Sequence, residues 1–392
     1  MAEPDTRSYT VAQDSSVYYG GGYWNDLPQV AAYIERRATG KPDTDWYTHL
    51  KDVTGGRTFR KALFLNCGNG WVERQLLEAG IVEEAVGTDI SDELLDQARK
   101  AAAVAGLPAR YYARDINTAD LPEDGYDLVV NFAAAHHIAY LDKVLRRVCE
   151  VLPADGVFAS VDYVGPHRNQ YGYAQWQAAQ ELVEQLPEAF RSAPNYPHLP
   201  TMLAGDPTEA IHSELILDTV RRYFRLEELN PIGGALAYPV LSFNSAVHGT
   251  PGPERDAVVE QVLAADEAWT TEDPDRTLFA FFWGHPMKAV LDEQDTLAAW
   301  AREEEAREQA AAAAEGRYYP LTVLQQLTQE LETLRMHNSH LLADLHRTTD
   351  EKAALLDRRV ALRPVLVRTL DERAHLAMRL LRGLRRLLGR RR

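Results

Sequence analysis

The stretch ALFLNCGNGWVE, Ala62 to Glu73, decides the fold. An apolar run of strand length stops at a turn built on Gly68 and Gly70 and passes directly into a helical pattern. Glycines at such a turn let a ligand approach the backbone without obstruction by Cβ, and in an open α/β sheet nucleotide-like cofactors sit at this point. Working outward, strands are expected at Ala62–Asn66, Glu84–Asp89, Ala109–Ala113, Asp127–Phe132 and Gly156–Tyr163. Helices fit between them at Val72–Ala79, Asp92–Ala105 with Ser91 as N-cap, and Tyr140–Leu152. This alternation is the pattern of a parallel sheet covered by crossover helices. Phe224–Leu229 and Thr277–Trp283 read as a sixth and a seventh strand closing the sheet as an antiparallel pair.

The cofactor follows partly from what is missing. Asp89 ends the second strand, where a carboxylate can accept both ribose hydroxyls. A dinucleotide fingerprint needs a further glycine where Glu73 stands, and that carboxylate would repel a pyrophosphate at the helix N-terminus. No Gly-Lys-Ser or Gly-Lys-Thr makes a P-loop. The site therefore suits an adenosine without phosphates that carries positive charge, and S-adenosylmethionine meets both conditions.

Residues 60–163 resemble the Rossmann-like class I S-adenosylmethionine-dependent methyltransferases. The resemblance implies a seven-stranded sheet with inserted lid segments. It implies a cofactor site in which Asn66, Cys67, Gly68 and Gly70 face the amino-acid part, Asp89 and Ile90 the ribose, and Asp115 and Ile116 the adenine. Asn131 to His137 would line the methyl-transfer site. Phe64 and Asn66 stand where the family usually has an acid and a glycine. The segments CGNGWVE, AAHHI, DYVGPHRNQY, DPTEAIHSE and GGALAYP resemble a subgroup associated with modification of glycans or secondary metabolites.

Methyl transfer needs an in-line approach and, for a hydroxyl acceptor, somewhere for a proton to go. His136 and His137 follow the fourth strand, and a neutral imidazole suits that duty; His137, nearest the helix, is favoured. Asp162 and Tyr163 end the fifth strand, with His167 and Arg168 in the next turn. There an Asp162–His167 pair would orient a base or bind sugar hydroxyls, and Arg168 would clamp an anionic acceptor. No H-E-x-x-H and no cysteine pair at zinc spacing occurs, so no metal site is expected. The expected activity is O-methylation of a small molecule or glycan. A silent methyltransferase-like scaffold, and an enzyme using the sulfonium for another reaction, stay open at this point.

Residues 1–60 read as an N-terminal aromatic cap and 61–290 as the methyltransferase domain, with lid insertions at 164–207 and 230–275. A helical connector (291–320) then leads to leucines at alternating spacings of three and four from Leu324 to Leu345. With Asn338 at an a-type position, 321–363 reads as a dimerising coiled coil. After Pro364, leucines ringed by arginines form a basic amphipathic helix over 364–392. Asp371 to Arg392 carries +6 of a chain whose net charge is −16, so this tail suits an anionic membrane surface while the acidic body is unsuited to nucleic acid. Two distant cysteines and no secretory start give a cytoplasmic expectation, peripheral to the inner face of the membrane through the tail.

Overall fold

The structure, a computed structural model, describes residues 22–314 other than 119, 195 and 250. The chain divides into two units, Met1–Glu304 and Glu305–Arg392. The expected coiled coil (321–363) and basic helix (364–392) lie outside the described residues, as does the start of the aromatic segment.

Helices α1 (Pro28–Thr39) and α2 (Trp46–Val53) precede β1 (Phe59–Leu65), where a glycine turn leads into α3 (Trp71–Glu78). Then follow β2 (Val82–Asp89), α4 (Asp92–Ala105), β3 (Ala109–Ala113), β4 (Leu128–Phe132), α5 (Leu141–Val151) and β5 (Val157–Tyr163). All five strands and three helices fall within a few residues of expectation. Ser91 caps α4 by accepting from the Leu94 amide at 3.3 Å. Residues 164–207 fold into α6 (Tyr173–Gln185) and α7 (Leu199–Gly205), and α8 (Ile216–Tyr223) leads into β6 (Phe224–Gly233). Two further helices, α9 (Ala237–Leu241) and α10 (Pro253–Glu272), precede β7 (Phe279–Pro286) and α11 (Lys288–Ala314).

The strands form one sheet in the order β3-β2-β1-β4-β5-β7-β6, with β7 antiparallel to both neighbours and the rest parallel. The order reverses between β1 and β4, and a crevice opens at such a switch point beyond the strands' C-terminal ends. Burial on both faces explains the unbroken apolar runs of β1, β4 and β5. On one face Leu63, Val129 and Phe282 pack with Leu145 and Val148 of α5 and Val220 of α8. On the other, Phe59, Phe64 and Val130 pack with Leu50 of α2 and Leu76 of α3.

The inserts build a core of their own, in which Trp24 and Val30 meet Leu182, Val240 and Val259. Asp266 of α10, fully buried, ties this layer down: it accepts from Tyr33 Oη at 2.8 Å and from the amides of Gly234, Leu236 and Ala237 at 2.7–3.0 Å. A buried carboxylate is stable only when its lone pairs are so engaged. That arrangement fixes the start of α9, which carries Tyr238. Among the described residues no helix is long and apolar enough to cross a membrane.

Candidate active site

A cleft of about 620 Å3 opens along the switch point, within the range of small-molecule sites. Its floor begins at the turn after β1. Gly70 has φ 70° and serves as the N-cap of α3; a Cβ there would lie 2.6 Å from Tyr111 Oη and 2.9 Å from Ala98 Cβ. Only glycine meets both demands. Asn66 also has positive φ (47°), which explains its place where a glycine is usual, because asparagine tolerates the left-handed region.

Asp89 lies across the turn. Its Oδ2 accepts from the Gly68 amide and its Oδ1 from the Ser91 amide, both at 2.8 Å. Each oxygen keeps a lone pair for a ligand hydroxyl. Burial holds this carboxyl above its ordinary pKa, opposed by the Ser91 and Gly68 amides. Asp115, after β3, accepts from the Asn117 amide at 2.9 Å and faces the cleft with Ile90, Ile116 and Leu94. A polar turn, two carboxylates and an apolar slot between them fit an adenosine carrying a cationic amino-acid tail.

Glu73 fills the space beneath the turn and is fully buried. A Cβ on Gly87 would come within 2.7 Å of both Glu73 Oε1 and Cys67 Sγ. Burial pushes the Glu73 pKa up to about 7, against the weaker pull of its own amide, Cys67 and Arg74. A carboxyl raised on folding stabilises least where it must ionise, so stability is full below the ordinary carboxylate pKa and declines as pH rises through 7. Glu73→Gln is therefore expected to raise stability at pH 8 by about 3 kcal/mol and to flatten its dependence between pH 5 and 8. Urea midpoints check this; an equal fall in both proteins over that interval contradicts it.

The opposite end of the cleft is organised by Asp162, which is buried at the end of β5. Oδ2 accepts from Asn131 Nδ2 at 2.6 Å and from the Ala134 and Ala135 amides at 3.1 and 2.6 Å. Oδ1 accepts from His136 Nδ1 at 2.5 Å and from the Tyr163 amide at 2.6 Å. Asp162 thereby pins the loop after β4 and orients His136. Burial alone would lower the His136 pKa, but Asp162, aided by Glu209 and Asp206, carries it up to about 9. Asp162 stays below the usual carboxylate range despite burial because His136⁺ and Asn131 face it. Burial and the neighbouring His136 together lower the pKa of His137, whose ring lies 4.1 Å from that of His136. His137 Nδ1 meets Thr208 Oγ1 at 3.0 Å.

Asp162 pairs with His136 rather than with His167. His167 Nδ1 instead donates to the Ile211 carbonyl at 2.5 Å, and Arg168 Nη1 to the Glu209 carbonyl at 2.9 Å. Neither residue, expected from the sequence to meet the acceptor, lines the cleft; both brace the 206–211 loop. Asn66, Cys67, Gly68, Asp89, Ile90, Asp115, Ile116, His136, His137, Asp162 and Tyr163 do line it, whereas Gly70 and Asn131 act from behind the wall. Sequence reasoning missed Glu209, Thr208 and Phe279 as wall residues. The aromatic wall joins Trp24, stacked 5.2 Å from Phe279, to Tyr238 and Tyr163, both edge-on to Phe279 at 5.3–5.4 Å.

Residues 62–156 match the family model described as a methyltransferase domain. Over 103 residues the chain is 30% identical to the uncharacterized methyltransferase YcgJ of Bacillus subtilis, covering 26% of this chain and 41% of that protein. Over 104 residues it is 35% identical to the uncharacterized methyltransferase Mb0092 of Mycobacterium bovis, covering 26% and 51%. The chain thus spans about half the length, or less, of these relatives. The crystal structure of Bacillus YcgJ is similar at TM-score 0.36, with 17% identity over 61% of this chain and 97% of that one. An S-adenosylmethionine-dependent methyltransferase from Mesorhizobium loti is similar at TM-score 0.35, with 19% identity over 58% and 91%.

The strand order is that of a Rossmann-like α/β sheet, and residues 62–156 within it are similar to a methyltransferase domain. The turn, Asp89 and Asp115 fit S-adenosylmethionine.

Proposed function

We propose that the protein transfers a methyl group from S-adenosylmethionine to a hydroxyl of a glycan or glycosylated metabolite. One observation carries this reading: a single cleft joins the Asp89 and Asp115 carboxylates at one end to the Asp162-oriented histidines at the other. When bound, the cofactor supplies a methyl group on a sulfonium sulfur for in-line transfer, leaving S-adenosylhomocysteine. Asp89 holds the ribose and the Asn66–Gly70 turn faces the amino-acid part. Trp24, Tyr163, Tyr238 and Phe279 offer the apolar face of a sugar ring a stacking surface and exclude water from the reacting atoms. The acceptor's proton is drawn off where His136, His137 and Glu209 converge.

Incubation with methyl-labelled cofactor and an extract of glycans and metabolites tests this. A product labelled on an ether oxygen supports the reading; label that stays on the cofactor, or a product without added methyl, opposes it. We further propose that 321–363 makes the protein a homodimer and that the 371–392 tail binds anionic lipid. Deleting 371–392 is expected to abolish binding to phosphatidylserine vesicles and to leave turnover on a soluble acceptor unchanged; sedimentation with vesicles checks it, and undiminished binding contradicts it.

A further inference from the structure

We propose that His136, His137 and Glu209 form a binding site for a divalent transition-metal ion, with Zn2+ the cation their chemistry suits best. One ligand atom from each of the three lies within 4.8 Å of the other two. Glu209 Oε2 is 3.8 Å from His136 Nε2 and 3.7 Å from His137 Nε2. Two ligands at about 2.1 Å on one tetrahedral ion stand roughly 3.4 Å apart, so a shift of a few tenths of an ångström brings Glu209 to the coordination spacing from each imidazole.

The hydrogen bonds behind the rings point the same way. Thr208 Oγ1 gives its only proton to Asp206 Oδ1 at 2.7 Å, so it can only accept from His137 at 3.0 Å. That places the proton of His137 on Nδ1 and a lone pair on Nε2. His136 Nδ1 is likewise engaged by Asp162, which leaves Nε2 as the atom facing the cleft, where the cation takes the place of its proton and releases it to water. Both imidazoles thus turn Nε2 toward the same carboxylate oxygen, each held from behind by an oxygen partner, the arrangement metal-ligating histidines adopt. Two imidazoles and a carboxylate favour Zn2+ and its transition-metal neighbours over Mg2+ or Ca2+. Three protein ligands leave a coordination position open to the cleft, as in catalytic rather than structural sites.

Binding of the cation does not depend on the methylation reading; its use does. An acceptor hydroxyl at the open position loses its proton more readily, releasing it to water at the cleft mouth. The oxygen–methyl bond then forms as the sulfur–methyl bond breaks. In this account the histidines act through the cation.

The test is calorimetric titration of tag-free, chelator-treated full-length protein with Zn2+, without cofactor. One Zn2+ per chain is expected, with affinity reduced about 100-fold in Glu209→Gln and 10- to 100-fold in Thr208→Val. Both variants are expected to keep the wild-type melting temperature in the absence of metal. Co2+ in place of Zn2+ is expected to give ligand-field bands of nitrogen and oxygen ligation without thiolate charge transfer. Sub-stoichiometric Zn2+, equal affinity in wild type and Glu209→Gln, or a thiolate band from Cys67 overturns the site. Titrating the same sample with S-adenosylmethionine separates the two readings: intact cofactor binding without Zn2+ rejects only the metal, and the converse rejects only the methyltransferase.

Discussion

His137→Ala lowers turnover by about 100-fold or more while changing cofactor affinity by less than about threefold. We place this imidazole where the acceptor's proton leaves, in contact with Thr208 and close to Glu209, and assign the cofactor to the turn and the Asp89 carboxylate instead. Its loss removes stabilisation of the reacting state rather than ground-state binding, so the effect falls on kcat. Steady-state rates and cofactor titration on one preparation check this. A loss below about tenfold contradicts the placement of His137 at the chemistry.

Asp89→Ala weakens S-adenosylmethionine binding by about 100-fold. Hydrogen bonds to a carboxylate contribute about 1.5–3 kcal/mol each, and a pair to the ribose hydroxyls amounts to at least about 3 kcal/mol, or roughly two factors of ten. The same carboxylate anchors the Gly68 amide, so removing it also frees the turn that faces the amino-acid part. Asp89→Asn, which keeps the shape and loses the charge, is expected to fall between wild type and Ala. Calorimetry reads both; a loss below tenfold in Asp89→Ala contradicts the assignment of the ribose to this residue.

The turn after β1 was legible because its residues are consecutive and its geometry is set by the backbone. A strand, two glycines and an acid at the next strand end leave few ways to fold, and Gly68, Gly70 and Asp89 stand where that spacing put them. The acceptor end was not. Glu209 comes 72 residues after His137 and reaches it through a loop braced by Arg168 and by the His136 carbonyl, a closure no local pattern encodes. The same long-range closure misdirected Asp162 toward His167, its neighbour in sequence, when the space beside it belongs to His136. The inserts were read only as lid segments, yet burial against Trp24 and Val30 gives α6 and α10 a core that propensity alone does not announce. Strand ends drifted by a few residues where a buried edge, as at Phe59, continues the ladder past the apolar run.

A crystal structure of the full chain grown with S-adenosylhomocysteine tests the central claim most directly. The account predicts the ribose on Asp89, the adenine beside Asp115 and Ile90, and the sulfur directed at the His136–His137 pair. A product molecule bound elsewhere, or a cleft closed by its own side chains beside saturating ligand, would contradict it.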